Sequence, residues 1–598
     1  MEVTAAFGVT KQVPKSLLPL HLKAHVKPID LEKLVALENK TPECREFLLH
    51  ALGWLRDGRR YGNIELKPRK PRFSIDRFKE MRGYKYKPLY GLPEGFVDAF
   101  VRTEPSKDPA HEHGLRLRPL FAPDANTDAA TREMLQEMKM PTKGEIRDQG
   151  ADKPELVVQF DMESYYDQFA CSESVKRKLC FLGPDGKVYA LERLPMGLRP
   201  ACEVAQATTW FLLDFEMGKS VKLATCIDNI RFMGKRTEVV VAIRTFLERC
   251  RLVGAQLDKW PASDSDTDIA AMGERAGDFL GENYDYDHST RKLTKRTGDK
   301  VVMIDEWVTR QGGQQLVMSA RQLSVLMGML FWTASVLSLP LCTYFHLLRD
   351  YRRVCSQAAK ENDYDGARIP ISQTSMKELR SWLDAALKND PVSMRPKIFG
   401  EPSLNLVVDA SGIGYCAIAT TTFTDCQILS GSWPPDKKQK AMSSVWAEPE
   451  AIYLACLRFV RPTDKFVRVF TDHSPVVYAH RAGYAKGFNP NLLIERLTQT
   501  FPNTVFEIVH VKGECNPADR YSRLGEVTGE EKKLSEDEAG KLAMLAAEGR
   551  GQCPKDNVAA FTAHNKNPPS WYSLHPTEGF SLMCLSLVVV YPMIADTE

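Results

Sequence analysis

The chain has 598 residues, 43% of them hydrophobic and 26% charged, with a formal net charge of +3. That length exceeds one ordinary core, so several domains are expected, and the balance of apolar and charged residues excludes a largely disordered chain. The 14 cysteines are scattered without a C-x-x-C pair, which argues against a zinc ribbon and fits a reduced intracellular protein.

Residues 1–100 read as helical and then basic. The opening MEVTAAFGVTK has no apolar signal core, so secretion is not expected. Between Arg56 and Lys87 there are 12 Lys/Arg against 4 Asp/Glu, interleaved with Tyr61, Phe73, Phe78, Tyr84 and Tyr86. Cations neutralise phosphates and rings stack on bases, so the mixture suits nucleic acid; it suits a solvated basic loop equally well.

Residues 101–300 alternate β-rich runs, Leu156–Phe160 and Leu223–Ile227, with helical stretches such as Val239–Arg251. VVQFDMESYYDQF puts Asp161 directly after an apolar strand, and TCIDNIRFMG puts Asp228 and Asn229 at the end of another. Carboxylates at two strand ends could hold two Mg²⁺ ions about 3.5–4 Å apart, the arrangement that activates a 3′-hydroxyl and stabilises a leaving phosphate oxygen. Singly, each Asp is equally a cap or turn residue. Between them, RLPMGLRPACEVAQATTW supplies a Pro195–Gly197 loop whose backbone can approach a ligand, followed by an apolar helix.

Residues 301–395 read as mostly helical. Gln322 to Leu348 carries no Asp, Glu, Lys or Arg and is long enough to span a bilayer. Leu323, Leu326, Met327 and Leu330 repeat at helical spacing, however, and Pro340 interrupts the run. Two packed helices broken near Pro340, and no membrane span, are therefore expected.

A new β-rich unit starts at LNLVVDASGIGYCAIA, Leu404 to Ala419, a hairpin pattern carrying Asp409. Glu448 opens a helix in SSVWAEPEAIYLAC, Asp472 ends a strand in RVFTDHSPVV, and Asp519 stands near the start of a last helix in VHVKGECNPADRYSRL. Four carboxylates from four elements can bind two Mg²⁺ and act on a phosphodiester. Taken separately, Glu448 is equally a first-turn acid, Asp472 a cap and Asp519 part of a solvated face. Residues 526–598 change character again, with a charged helix or tail and then an apolar FSLMCLSLVVVYPMI.

In this order, FDMESYYDQF, LPMGLRPA and CIDNI resemble the A, B and C motifs of reverse transcriptases. The pattern is similar to that of gypsy-like LTR retrotransposons and DIRS-like retroelements, a group that includes the kinetoplastid VIPER elements. RLRPLFAPDAN resembles the segment that grips an incoming triphosphate, VGAQLDKW resembles motif D, and DFLGENYDY resembles the primer grip. The later acids resemble the Asp–Glu–Asp–Asp set of RNase H, and AEPEAIYLAC selects Glu448 over Glu450.

The resemblance implies a multidomain α+β and α/β fold. A right-hand polymerase of fingers, palm and thumb would be followed by a helical connection and an RNase H-like α/β domain. The domains would be 1–100, a helical and basic region; 101–300, fingers and palm; 301–395, thumb and connection; 400–525, RNase H-like; and 526–598, a tail. It assigns Asp161 and Asp228 as metal ligands beside Asn229, and Asp409, Glu448, Asp472 and Asp519 as the nuclease ligands. Arg118 would meet the triphosphate, and Met196, Gly197 and Gln206 would line the nucleotide pocket. Tyr166 would exclude a 2′-hydroxyl by bulk, Lys259 would protonate pyrophosphate, and His510 could assist product release. Mg²⁺, with Mn²⁺ as an alternative, is the implied cofactor. RNA template, DNA primer, RNA–DNA hybrid and dNTPs are the implied partners, in the cytoplasm or nucleus. Any recombinase or integrase of such an element would be a separate chain.

The departure is Cys226-Ile227-Asp228-Asn229, where the family has aromatic-x-Asp-Asp. Asn keeps an oxygen and loses a charge, so lower metal affinity is expected. The alternative is therefore a descendant without polymerase activity that retains RNase H activity or only binding. A structural scaffold would instead have lost acids in both sites, and the four nuclease acids are present.

Overall fold

The computed structural model describes residues 18–19, 26–62, 86–105, 115–123, 138, 140–310, 316–366, 368–395, 400–423, 425–524 and 534–551. Most of the basic stretch Arg56–Lys87 and the apolar FSLMCLSLVVVYPMI fall outside the described residues. The chain mixes helix and sheet and divides into two compact units, Met1–Lys300 and Val301–Glu598.

In the first unit α1 (Pro42–Arg56) precedes β1 (Tyr86–Pro88), and β2 (Val97–Pro105) and β3 (Leu115–Pro123) form a long antiparallel pair. Helix α2 (Lys143–Ala151) starts at a capping box of Thr142 and Glu145. β4 (Leu156–Asp161) follows, then β5 (Cys180–Leu182) and β6 (Val188–Leu191), which complete a small sheet with β1. α3 (Arg199–Leu213) leads to the hairpin β7 (Lys222–Cys226) and β8 (Asn229–Gly234), and α4 (Arg236–Val253) ends at Gly254 in the left-handed region.

The sheet order is β4–β8–β7. Side chains alternate across β8, as a strand requires. Ile230 and Phe232 face a core that includes Phe160 of β4 and Phe246 of α4, with Phe160 and Phe246 centroids 5.6 Å apart. Arg231 is wholly buried against the β9 (Ala276–Phe279) and β10 (Glu282–Asp285) hairpin, its guanidinium 4.4 Å from the Phe279 ring centroid and 5.0 Å from that of Tyr284. β11 (Thr290–Leu293) extends that hairpin.

In the second unit β12 (Val317–Ser319) pairs with β13 (Arg368–Pro370). Ser319 and Gln322 form a capping box that opens α5 (Ala320–Leu337). Pro340 then starts a single 3-10 turn, Leu341–Tyr344, before α6 (Phe345–Glu361) and α7 (Gln373–Lys388). The uncharged stretch is thus two helices broken at Pro340. Among the described residues α5 alone is long and apolar enough to cross a membrane. Leu323, Leu326, Met327 and Leu330 on it are buried, and Trp382 of α7 hydrogen-bonds Thr333 at 3.2 Å.

After the two-residue β14 (Val392–Ser393) comes a five-stranded sheet of β15 (Leu404–Ala410), β16 (Gly414–Thr420), β17 (Cys426–Ser432), β18 (Phe466–Thr471) and β19 (Val505–His510). Its order is β17–β16–β15–β18–β19, antiparallel on the first side and parallel from β15 to β19. Helices α8 (Ser444–Phe459), α9 (Ser474–Ala482) and α10 (Phe488–Thr500) supply the crossovers that parallel strands need. Ala451, Ile452 and Leu497 of α8 and α10 lie in the core on one face. The other face carries Tyr521 of α11 (Asp519–Leu524) and Leu542 and Leu545 of α12 (Glu536–Gly551). The charged segment after residue 534 is therefore a helix packed on the sheet.

Candidate functional site

In the first unit, strand pairing gathers the residues that the sequence singles out. Asp161 ends β4 directly opposite Asn229, the first residue of β8. Asp228 sits in the two-residue turn before it, and its carbonyl accepts from Met162 N at 3.0 Å. The chain around Val253–Trp260 runs along the same edge: Asp258 N donates to the Asp161 carbonyl at 2.8 Å, and exposed Lys259 follows.

The turn is conformationally demanding. Ile227 has φ +57°, a region that β-branched residues avoid. Helix α3 holds it from below: Gln206 Oε1 accepts from Ile227 N at 2.6 Å, and Thr209 Oγ1 donates to the Ile227 carbonyl at 2.7 Å. Gln206 Nε2 and Trp210 Nε1 both meet Thr225 Oγ1, at 3.2 and 3.1 Å. Gln206 is fully buried, so its amide serves the turn. Thr209 carries no sequence signal, because its partner is a backbone carbonyl.

Asn229 Nδ2 donates to Asp228 Oδ1 at 2.8 Å, so one carboxylate lone pair already faces a protein donor. Met196 and Gly197 form the loop before α3, and Gly197 takes φ +95°, where a side chain would be strained. Arg118 of β3 reaches that loop, Nη1 to Met196 Sδ at 3.8 Å. Tyr166 is partly buried, with its hydroxyl 3.6 Å from Cys202 Sγ, and burial drives its pKa upward.

In the second unit the acids converge at the carboxyl ends of the parallel strands β15 and β18. Asp409, Glu448 and Asp472 each offer an oxygen within 4.8 Å of the others. Asp409 is 3% and Glu448 4% exposed. Helix α8 begins at Ser444, a turn ahead of Glu448, so Glu448 stands inside the helix beside Pro449 rather than opening it. Its Oε1 accepts from Ala410 N at 3.1 Å, while its buried Oε2 has no hydrogen-bond partner among the described residues. Asp409 is aimed by Ser522 Oγ at 2.5 Å and Asn516 Nδ2 at 3.3 Å, both from the ECNPADRYSRL stretch that also carries Asp519.

Crowded, desolvated carboxylates resist ionisation. Burial, then the nearby Asp472 and Asp519, pushes Asp409 up to about 7, against the opposing Ser522 hydrogen bond. Burial, with Asp409 and Asp472 beside it, pushes Glu448 up to about 9. Burial also raises Asp472. Asp519 contributes to this repulsion from outside the three-acid group, and Arg523 holds its Oδ1 at 2.7 Å. His510 is exposed at the end of β19.

An all-oxygen set with one unsatisfied buried oxygen and strong mutual repulsion fits a hard divalent cation, so Asp409, Glu448 and Asp472 could hold Mg²⁺ or Mn²⁺. In the first unit Asp161 and Asp228 offer two carboxylates, and the Asn229 contact competes for one of their oxygens.

No family model and no curated protein matches this sequence. Among solved structures, the chain is similar to the foamy viral protease-reverse transcriptase dRH in complex with double-stranded DNA, at 13% identity over 84% of each chain and TM-score 0.42. It is similar to the foamy viral protease-reverse transcriptase with double-stranded DNA at 12% identity, over 83% of this chain and 99% of that one, TM-score 0.39. With an RNA/DNA hybrid bound, that protein is similar at 12% identity, over 88% of this chain and 67% of the other, TM-score 0.39.

Proposed function

We propose that this chain is a retroelement RNA-directed DNA polymerase with ribonuclease H activity. It would copy RNA into DNA by two-metal nucleotidyl transfer and degrade the RNA strand of the resulting hybrid. The observation that carries the proposal is that two separate sheets in one chain each gather the acids that their motifs named: Asp161 at a strand end with Asp228 in the turn before its strand partner Asn229, and Asp409 and Asp472 at strand ends with Glu448 of α8. Either activity alone leaves the other site unexplained, whereas copying RNA produces the hybrid that a ribonuclease H consumes.

Mg²⁺, when bound, supplies charge neutralisation and Lewis-acid polarisation of the phosphate. The chain's own residues do the positioning. Ser522 and Asn516 fix Asp409, Ala410 N–H fixes Glu448, and Gln206 with Thr209 fixes the turn that presents Asp228. Arg118 and Met196, already in contact, would meet the dNTP, with Tyr166 as the sugar gate and Lys259 near the pyrophosphate. Residues 101–300 would then serve as fingers and palm, 301–395 as thumb and connection, and 400–525 as the RNase H-like domain.

A second reading, a nuclease whose polymerase half only binds nucleic acid, is favoured by the Asn229–Asp228 hydrogen bond. Primer extension on an RNA template with dNTPs separates the two. Extension by wild type that vanishes in Asp161→Asn, while hybrid cleavage persists, supports the full activity. Absence of extension, with rescue by Asn229→Asp, establishes the second reading. Loss of both activities in folded Asp161→Asn would sink the two-site proposal.

A further inference from the structure

Partly buried arginines ordinarily meet a carboxylate or a carbonyl. Arg352 of α6 does neither: among the described residues its guanidinium makes no hydrogen bond and no ion pair, and its Nη1 is sealed from solvent without a partner. Burial lowers its pKa, and the titratable neighbours acting on it are the Tyr484 phenol and a second cation, Arg349. Arg349 lies one turn earlier on the same helix face, exposed, and also has no ion pair among the described residues. Its guanidinium stands 5.9 Å from the Phe345 ring centroid. Arg353 on the same helix behaves in the ordinary way and pairs with Asp350 at 3.7 Å.

Tyr484 belongs to GYAKGF, Gly483–Phe488, where α9 gives way to α10, and the same segment carries exposed Lys486. Phe488 packs on Phe345 with centroids 5.5 Å apart, which joins the segment to α6. Of the acids on this side, Glu378 is engaged by His346 Nδ1 and Leu347 N, both at 2.8 Å, and Glu495, which lies near Glu378 and His346, accepts from Gln499 Nε2 at 3.1 Å. The surface thus combines two arginines, a lysine and a phenol with aromatic rings.

The geometry points to a phosphodiester site: Arg349 and Arg352, with Tyr484 and Lys486, grip the backbone of an RNA–DNA hybrid. This site rests on the function proposed above and adds a substrate contact outside both carboxylate clusters. A guanidinium matches phosphate oxygens in geometry as well as charge, and among the described residues neither Arg349 nor Arg352 has a hydrogen-bond or ion-pair partner to displace. Mixed rings and cations are a recurrent polynucleotide surface.

The test is fluorescence anisotropy of a labelled hybrid of about 20 base pairs, long enough to span several phosphate contacts. Full-length protein is titrated in EDTA, so that no strand is cut, across a salt series. The double variant Arg349→Gln/Arg352→Gln is expected to bind about tenfold more weakly, with the slope of log K against log salt shallower by about 1–2, and to melt like wild type. Arg352→Lys keeps the slope, and Arg353→Gln matches wild type in both. If wild type binds the hybrid and the double variant binds with the same slope, the site is refuted and the proposed function stands. An equal loss in Arg353→Gln also refutes it. If wild type does not bind the hybrid, the site and the function fall together.

Discussion

Asp409 and Asp161 both end a strand, yet one is 3% exposed and the other is open to solvent. Around Asp409 the fold concentrates charge. Three carboxylates share one desolvated space, and two of them have pKa values of about 7 and about 9. Around Asp161 the fold concentrates conformational demand instead, in Ile227 held at φ +57° by two side chains of α3. A site that stores electrostatic repulsion needs a cation to relax, and a site that stores backbone strain needs a rigid support. Substitutions should therefore act in opposite senses in the two units.

The largest contrast is expected from Glu448→Gln. Hybrid cleavage should fall on the order of 10³-fold, the scale of losing a charge-positioning group at a reacting centre. The metal-free protein should nevertheless melt higher above the Glu448 pKa of about 9, where one member of a repelling trio is kept neutral, and close to wild type at pH 7, where Glu448 is already protonated. A cleavage assay beside a melt in EDTA checks both, and a lower melting temperature would break the comparison. Next in size is the pH dependence of stability. Glu448 titrates at about 9 in the folded chain, above the ordinary carboxyl value. The folded state therefore holds its proton more tightly than the unfolded state does. Metal-free stability should fall as pH rises from the usual carboxyl range, near 4.5, towards 9, and Mg²⁺ should remove most of the slope. Asp409, raised to about 7, acts in the same direction. Melting curves across pH with and without Mg²⁺ report it, and a flat metal-free profile would contradict the buried repulsion.

In the first unit, Gln206→Leu keeps the side chain's bulk and removes the acceptor for Ile227 N–H. Primer extension should drop roughly 10–100-fold with hybrid cleavage unchanged, and stability should fall by about 1–3 kcal/mol, the cost of an unmet buried donor. Equal losses in both assays would show general unfolding instead. The smallest effect is expected from Ile227→Gly. Relief of left-handed strain offsets lost packing, so stability should move by less than about 1 kcal/mol by denaturant titration.

Much of this contrast was legible before the fold was known. Leu156–Phe160, Leu223–Ile227 and Val239–Arg251 each lie within one residue of an observed element or inside it, because apolar runs with clear period mark their own structure. The acids were legible because strand ends and helix starts advertise carboxylates. Gln206, Thr209, Asn516 and Ser522 were harder to place. Their partners are backbone atoms or distant carboxylates, and no local pattern records a contact between α3 and a turn 21 residues on. The start of α8 was also obscured, since Pro449 suggests a first turn but sits inside the helix. Helix α12 reads as a charged tail because, among its described side chains, Leu542 and Leu545 are the core residues and its first turn is acidic.

The grip of α3 on the Ile227 turn has a consequence for what holds Asp228 in place. Gln206 and Thr209 bind the main chain at position 227, so they specify a shape and not a side chain. The placement of Asp228 therefore depends more on Gln206 and Thr209 of the helix beneath than on the side chain that stands beside it at 227.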